Sequence, residues 1–196
     1  MMIQTISKKI IQILLTKEII EENMVNIYQY GTELMLSCFF TSSTILILSC
    51  IIDTFWSGLL YLTVYMLLKG TAGGYHASSY RNCFVLSILA YISQTIILKV
   101  MSACHFPHVF WLTILFLSAV YIFRNAPVKN HNHPIGVKLL RKNQIRARII
   151  LSFLSITLTL HYVLLQQSYQ LNHIVMTIAS IAIFMYIAIR KEEFGS

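Results

Sequence analysis

The sequence has 196 residues, 57% of them hydrophobic and 11% charged. A water-soluble domain has about a quarter of its residues charged, so this balance excludes an ordinary soluble globular protein. The net charge of +8 would suggest nucleic acid in a soluble chain. Here the basic residues gather between long apolar blocks, which points to a membrane instead and argues against a nucleic-acid partner.

Residues 1–22 carry Ile3, Ile6, Ile10, Ile13 and Leu14 at helical spacing, with Lys8, Lys9 and Lys17 between them. That pattern predicts an amphipathic helix, either lying in the membrane interface or packed as a cap on the bundle. The first long apolar block begins after Glu33, too late and too long for a signal peptide. Membrane spans are predicted over 34–52, 55–68, 83–101, 109–123, 149–165 and 173–189. A bilayer core needs about 20 helical residues, so several of these spans must borrow polar residues at their ends. The stretch 55–68 is the weakest, and four spans with re-entrant segments are the alternative. The expected fold is all-α, a polytopic membrane bundle of about six transmembrane helices.

Between the second and third spans lies the most informative stretch, the loop 69–82 with the cysteine that follows it: Lys69-Gly-Thr-Ala-Gly-Gly-Tyr-His-Ala-Ser-Ser-Tyr-Arg-Asn-Cys83. A cysteine nucleophile needs a base or a cation nearby to supply thiolate, and His76 is the histidine this loop offers. On one continuous helix, residues seven apart lie about 10 Å apart along the axis, too far for proton transfer. A catalytic pair therefore requires His76 in non-helical chain that folds back toward Cys83. Gly73-Gly74 eases such a path, and Ser78 or Ser79 suits the N-cap of the next helix. Cys83 would then sit in the first turns of the third span, where the helix end lowers a thiol pKa and backbone N–H groups can stabilise an oxyanion. The plainer reading is a tight turn followed by a cysteine that only packs. Lys69, Gly74, Arg81, Asn82 and Glu33 are the supporting candidates. Glu33 could orient His76, although an acidic residue at a helix entrance is more often solvated. Asn125 is a further possibility.

The other cysteines read as structural. Cys38 and Cys50 share one apolar block and behave as small hydrophobes, and Cys104 lies at the opposite membrane face. Cys104-His105-Phe106-Pro107-His108 resembles a metal site only superficially: zinc takes three or four ligands, and no second cluster accompanies it. No metal or other cofactor is expected. His161 and His173 read as polar residues near membrane ends.

The loop 124–148 holds Pro127, Pro134 and Gly136, then a basic run of Lys138, Arg141, Lys142, Arg146 and Arg148. It serves topology and anionic-lipid contact or recognises an acidic peptide, with Lys129, Lys138, Arg141 and Lys142 as substrate-binding candidates. With six spans, every basic cluster falls on one side together with both termini, as the positive-inside rule requires. Lys99 departs from the pattern, and its long stem can snorkel. Asp53 falls on the side away from Cys83.

Gly74-Tyr75-His76-Ala77, with Cys83 seven residues after the histidine, resembles the signature of the AgrB family, membrane endopeptidases that process autoinducing-peptide precursors in Gram-positive quorum sensing. The segment Ala126-Pro127…Pro134-Ile135, followed by a basic helix, is similar as well, and the likeness runs from about residue 25 to 190. It implies His76 as base and Cys83 as nucleophile of a cysteine endopeptidase. Cleavage through an acyl-enzyme thioester would then lead to a thiolactone or lactone ring. It also implies a propeptide partner of the AgrD type, a homodimer, and a site on the cytoplasmic side of a bacterial cell membrane. Two departures stand out. Lys69 occupies a position that often carries arginine in relatives, and Asn130-His131-Asn132-His133 stands where some relatives carry lysines. A small membrane transporter or scaffold component, with the loop as a mere connector, is the alternative.

Overall fold

The computed structural model describes residues 2–73, 79–104, 106–128, 137–164 and 168–194. Among the described residues the chain is helical: α1 (Met2–Thr16), a short 3-10 turn at Glu22–Met24, α2 (Val25–Ile52), α3 (Phe55–Ala72), α4 (Tyr80–Ala103), α5 (His108–Asn125), α6 (Val137–Leu164) and α7 (Tyr169–Phe194). The long apolar blocks give helices because a backbone without water must satisfy its own hydrogen bonds.

Helices α2 to α7 run the length of the bundle in alternating directions. At one end Lys99 reaches the Ile52 carbonyl, Asp53 pairs with His173 and His108 meets the Tyr162 carbonyl. At the other end Val128 is hydrogen-bonded to Ala72 and Glu33 lies beside Tyr80. Five of the helices, α2 and α4 to α7, are long and apolar enough to cross a bilayer. Their outward faces carry Met35, Phe39, Ile96, Phe116, Phe153 and Ile183, all exposed. A belt of large apolar residues of this extent marks a surface made for lipid. The protein is a helical membrane protein.

The sixth helix, α3, is not among these five, yet it is well enclosed. It buries Ser57, Gly58, Tyr61, Leu62, Val64, Leu68 and Ala72 against α2, α6 and α7. Its tyrosines and serine weaken the apolar signal of 55–68 because they face protein rather than lipid. Gly58 permits the approach of α2, since a Cβ there would lie 2.4 Å from the Ser49 hydroxyl.

Several boundaries differ from those the hydropathy suggests. α2 begins at Val25 and α6 at Val137, well before the apolar stretches that start at 34 and 149. At 1.5 Å per residue each of these 28-residue helices is about 42 Å long, more than the roughly 30 Å of a hydrocarbon core. The extra turns hold Gln29 and Glu33 in α2 and the basic run in α6. Within the segment 69–82, α3 continues through Lys69 to Ala72 and α4 begins at Tyr80. α1 packs on α2, burying Ser7 and Ile11, with the Ser7 hydroxyl donating to the Gln29 carbonyl at 3.2 Å. The packed-cap reading therefore holds for one face, while Lys8, Lys9 and Ile13 stay exposed.

Candidate active site at the Cys83 end

Cys83 lies in the first turn of α4, half-buried and with a free thiol. Ser79 caps that turn: its hydroxyl accepts from the Asn82 N–H at 3.2 Å, and its carbonyl accepts from the Cys83 N–H at 2.9 Å. Serine at this place satisfies a donor that the helix start would otherwise leave unpaired. Cys83 thus sits at the N-terminal end of α4, where the backbone dipole presents its positive end. The Asn82 and Cys83 N–H groups are already engaged, so neither is open to an oxyanion in this arrangement. Arg81 and Asn82 are exposed.

Two further groups converge on this helix start. Cys38 of α2 interacts electrostatically with both Cys83 and Lys69. Sequence reading assigned Cys38 to packing, and nothing in its apolar surroundings signals this proximity. Lys69, half-buried in the last turn of α3, donates to the Tyr65 hydroxyl, with its ammonium 4.7 Å from the Tyr65 ring centroid. The charge is held in place by a residue one turn earlier.

Glu33 is not a solvated carboxylate. It is only 8% exposed, accepts from Gln29 Nε2 at 3.1 Å, and interacts with the Tyr80 phenol at the start of α4. A buried carboxylate needs such partners, and Glu33 uses them to join α2 to the helix that carries Cys83.

The loop after α3 is anchored at its beginning. Gly73 closes α3 with φ of +73° and ψ of −158°, a backbone region essentially restricted to glycine. A Cβ at Gly73 would also lie 2.8 Å from the Val128 carbonyl oxygen. Val128 N–H in turn donates to the Ala72 carbonyl at 2.9 Å. The segment leaving α5 and the loop leaving α3 are therefore one joined piece of structure.

Beside this piece rise the first turns of α6, with Lys138, Arg141, Lys142 and Arg146 exposed. The Arg148 guanidinium lies 4.7 Å from the Phe123 ring centroid, a cation–π contact that ties α6 to α5. Among the described residues, Lys99 alone of the lysines and arginines lies at the opposite end, where it serves the carbonyl end of α2. Gly74, His76 and Lys129 lie outside the described residues, as do His105, His131 and His133.

The chain is 25% identical over 170 residues to "Putative AgrB-like protein 2" of Clostridium perfringens (strain 13 / Type A), an alignment covering 82% of this chain and 79% of the relative. No solved structure matches the chain. Residues 6–189 match the family AgrB, accessory gene regulator B, a span that takes in every helix from α2 to α6 and most of α1 and α7. The chain therefore belongs to the accessory gene regulator B family and has its role in that quorum-sensing system.

Proposed function

We propose that this protein is a cysteine endopeptidase that removes the C-terminal tail of the system's propeptide and promotes closure of the signal into a thiolactone or lactone. The observation that carries the reading is Cys83 itself, a free thiol in the capped first turn of α4, in a chain of this family. The Cys83 thiolate attacks the carbonyl at the C-terminal end of the future signal. His76, the matching histidine of the family motif, protonates the leaving amine, and the tail departs. The acyl group stays on Sγ as a thioester. An internal Cys or Ser of the same peptide then attacks that carbonyl, closing the ring and returning the thiol.

A thioester keeps the acyl group activated, so ring closure needs no nucleotide. The competing reaction is hydrolysis, and a site at the membrane boundary limits water. The amphipathic leader of the propeptide docks in the interface, and its acidic tail meets the exposed basic turns of α6. The clustering of basic residues at the Cys83 end supports a cytoplasmic location for that end.

Cys83→Ala and His76→Ala, each reconstituted with the propeptide in liposomes, test the proposal. Release of the tail is expected to fall by several orders of magnitude in both variants. Tail release at the wild-type rate in either variant would remove the proposed nucleophile or base and favour a transporter or scaffold.

A further inference from the structure

The end of the bundle remote from Cys83 holds a cluster of ionisable groups for which the proposed reaction has no use. Asp53 closes α2 and His173 lies in the second turn of α7. His173 Nε2 is 2.9 Å from Asp53 Oδ2, and the two side chains are 0% and 7% exposed. Tyr169 packs edge-on against the imidazole, 5.0 Å between centroids, and interacts with the Asp53 carboxylate. From α4, Gln94 donates to the His173 carbonyl at 3.3 Å and to the Thr177 hydroxyl at 3.0 Å. Lys99 donates to the Ile52 carbonyl, one residue before Asp53. Tyr91 interacts with both Asp53 and Cys50, and Tyr61 of α3 meets Tyr91 edge-on at 5.0 Å. Among the described residues, the charged and titratable groups around the pair are thus Lys99, Tyr91, Tyr61, Tyr169 and Cys50.

An ionisable pair within membrane helices is costly and marks a functional element more often than a structural one. Its proton inventory is restrictive. In the closed arrangement a neutral imidazole donates from Nε2 to an ionised carboxylate. A further proton has two places to go. On Nδ1 it meets no partner among the described residues, where that atom is buried without a hydrogen bond. On the carboxyl it cancels the negative charge and weakens the charge-assisted bond.

We propose that Asp53 and His173 form a proton-sensitive latch, holding the turn between α2 and α3 onto α7 and releasing it on acidification. An imidazolium in the closed arrangement has no acceptor for its second N–H among the described residues, so protonation favours the open arrangement and stability is expected to fall on acidification. Release has a route to the Cys83 end. α3 begins two residues after Asp53, and its interior carries Tyr61 stacked on Tyr65 at 5.4 Å. Tyr65 in turn holds Lys69. Motion at the start of α3 is carried by a packed helix to Lys69 and Gly73.

The test is thermal unfolding of the full chain in lipid nanodiscs, from about pH 7.5 to about pH 5, on either side of the ordinary histidine range. The wild type is expected to melt at lower temperature on acidification. Asp53→Asn and His173→Gln are expected to melt below wild type at neutral pH and to lose most of the acid-dependent drop. His108→Gln, at the same end but bonded to the Tyr162 carbonyl, is expected to keep it. A full wild-type pH dependence in His173→Gln overturns the latch. Where those variants do not fold, Asp53→Glu keeps the carboxylate on a longer stem. A displaced acid transition is then expected, and an unchanged one overturns the proposal. In chains whose only cysteine is Cys83, alkylation at neutral pH is expected to differ by about twofold or more between His173→Gln and the parent. Equal rates overturn the transmission to Cys83.

Discussion

The backbone N–H of Val128 donates to the carbonyl of Ala72 at 2.9 Å, fastening the chain that leaves α5 to the chain that leaves α3. Gly73, the next residue, has both a positive φ and the Val128 carbonyl where a Cβ would stand. Gly73→Ala therefore incurs backbone strain of about 1–3 kcal/mol plus a steric clash with backbone, which cannot swing aside as a side chain can. The variant is expected to unfold at a lower temperature in detergent and to lose most tail-releasing activity. Wild-type stability in Gly73→Ala would mean that the two segments are not fastened here.

Ser79 joins helix formation to thiol chemistry. Ser79→Ala removes the side-chain acceptor for the Asn82 N–H, a loss of about 1 kcal/mol for a typical cap. As the first turn of α4 frays, Cys83 leaves the ordered positive end of the helix. Alkylation of Cys83 at neutral pH is expected to slow in Ser79→Ala and to recover in Ser79→Asn, which caps equally well without adding charge. A rate unchanged by either substitution would show that the cap does not govern the thiol.

Glu33→Gln tests the tie between α2 and α4. The carboxylate accepts from Gln29 and faces Tyr80 in a nearly closed environment. Replacing it with an amide removes the charge and leaves one acceptor oxygen in place of two, at about 1–3 kcal/mol where a group is left unsatisfied. A lower melting temperature is expected, together with slower tail release, because Tyr80 is three residues from Cys83. If melting falls while activity per folded molecule stays constant, Glu33 acts on stability alone.

How much of this was legible in the sequence depends on the distance over which each feature is decided. The cap and the place of Cys83 in the turn it opens depend on a few adjacent residues, so the sequence narrows the cap to Ser78 or Ser79 and sets Cys83 in the first turns of the helix. Six helices were legible from apolar blocks, but their ends were not. Hydropathy stops at polar residues, whereas α6 continues through Lys138, Arg141 and Lys142 because lysine and arginine are good helix formers. α3 likewise runs past Lys69, whose ammonium folds back onto Tyr65. Glu33 looked solvated because only one partner, Gln29, lies one turn away. The other partner, Tyr80, comes from another helix. The pairing of Asp53 with His173 spans 120 residues, and the approach of Cys38 to Cys83 joins two helices. Such pairings are fixed by how α2, α4 and α7 pack, which no local pattern encodes. The expected relation of His76 to Cys83 lies outside the described residues.

The exposed basic turns of α6 offer a test of substrate recognition that does not involve the chemistry. Arg141→Gln with Lys142→Gln removes two positive charges from an exposed surface, where each charge pair is worth about 0–1 kcal/mol. Binding of a propeptide with an acidic tail is expected to weaken several-fold at low ionic strength. The gap between variant and parent is expected to close as salt rises, since screening shortens the reach of surface charge. An uncharged tail is expected to bind both proteins alike. Equal affinity for the acidic tail at low salt would assign these residues to lipid headgroups instead.

Lys69 is the remaining charge at the Cys83 end, and its role separates simple Coulomb support from geometry. It interacts with Cys38, which in turn interacts with Cys83, and Tyr65 fixes its ammonium. A cation near a thiol favours the thiolate. Lys69→Gln is therefore expected to slow alkylation of Cys83 at neutral pH. Lys69→Arg retains charge, but its planar fork cannot sit on the Tyr65 hydroxyl as a point ammonium does. Restoration by arginine means that charge alone matters. Failure of arginine together with a loss in Tyr65→Phe means that the ammonium must be held where Tyr65 holds it. Alkylation rates in Lys69→Gln that match wild type at every pH would remove Lys69 from the site.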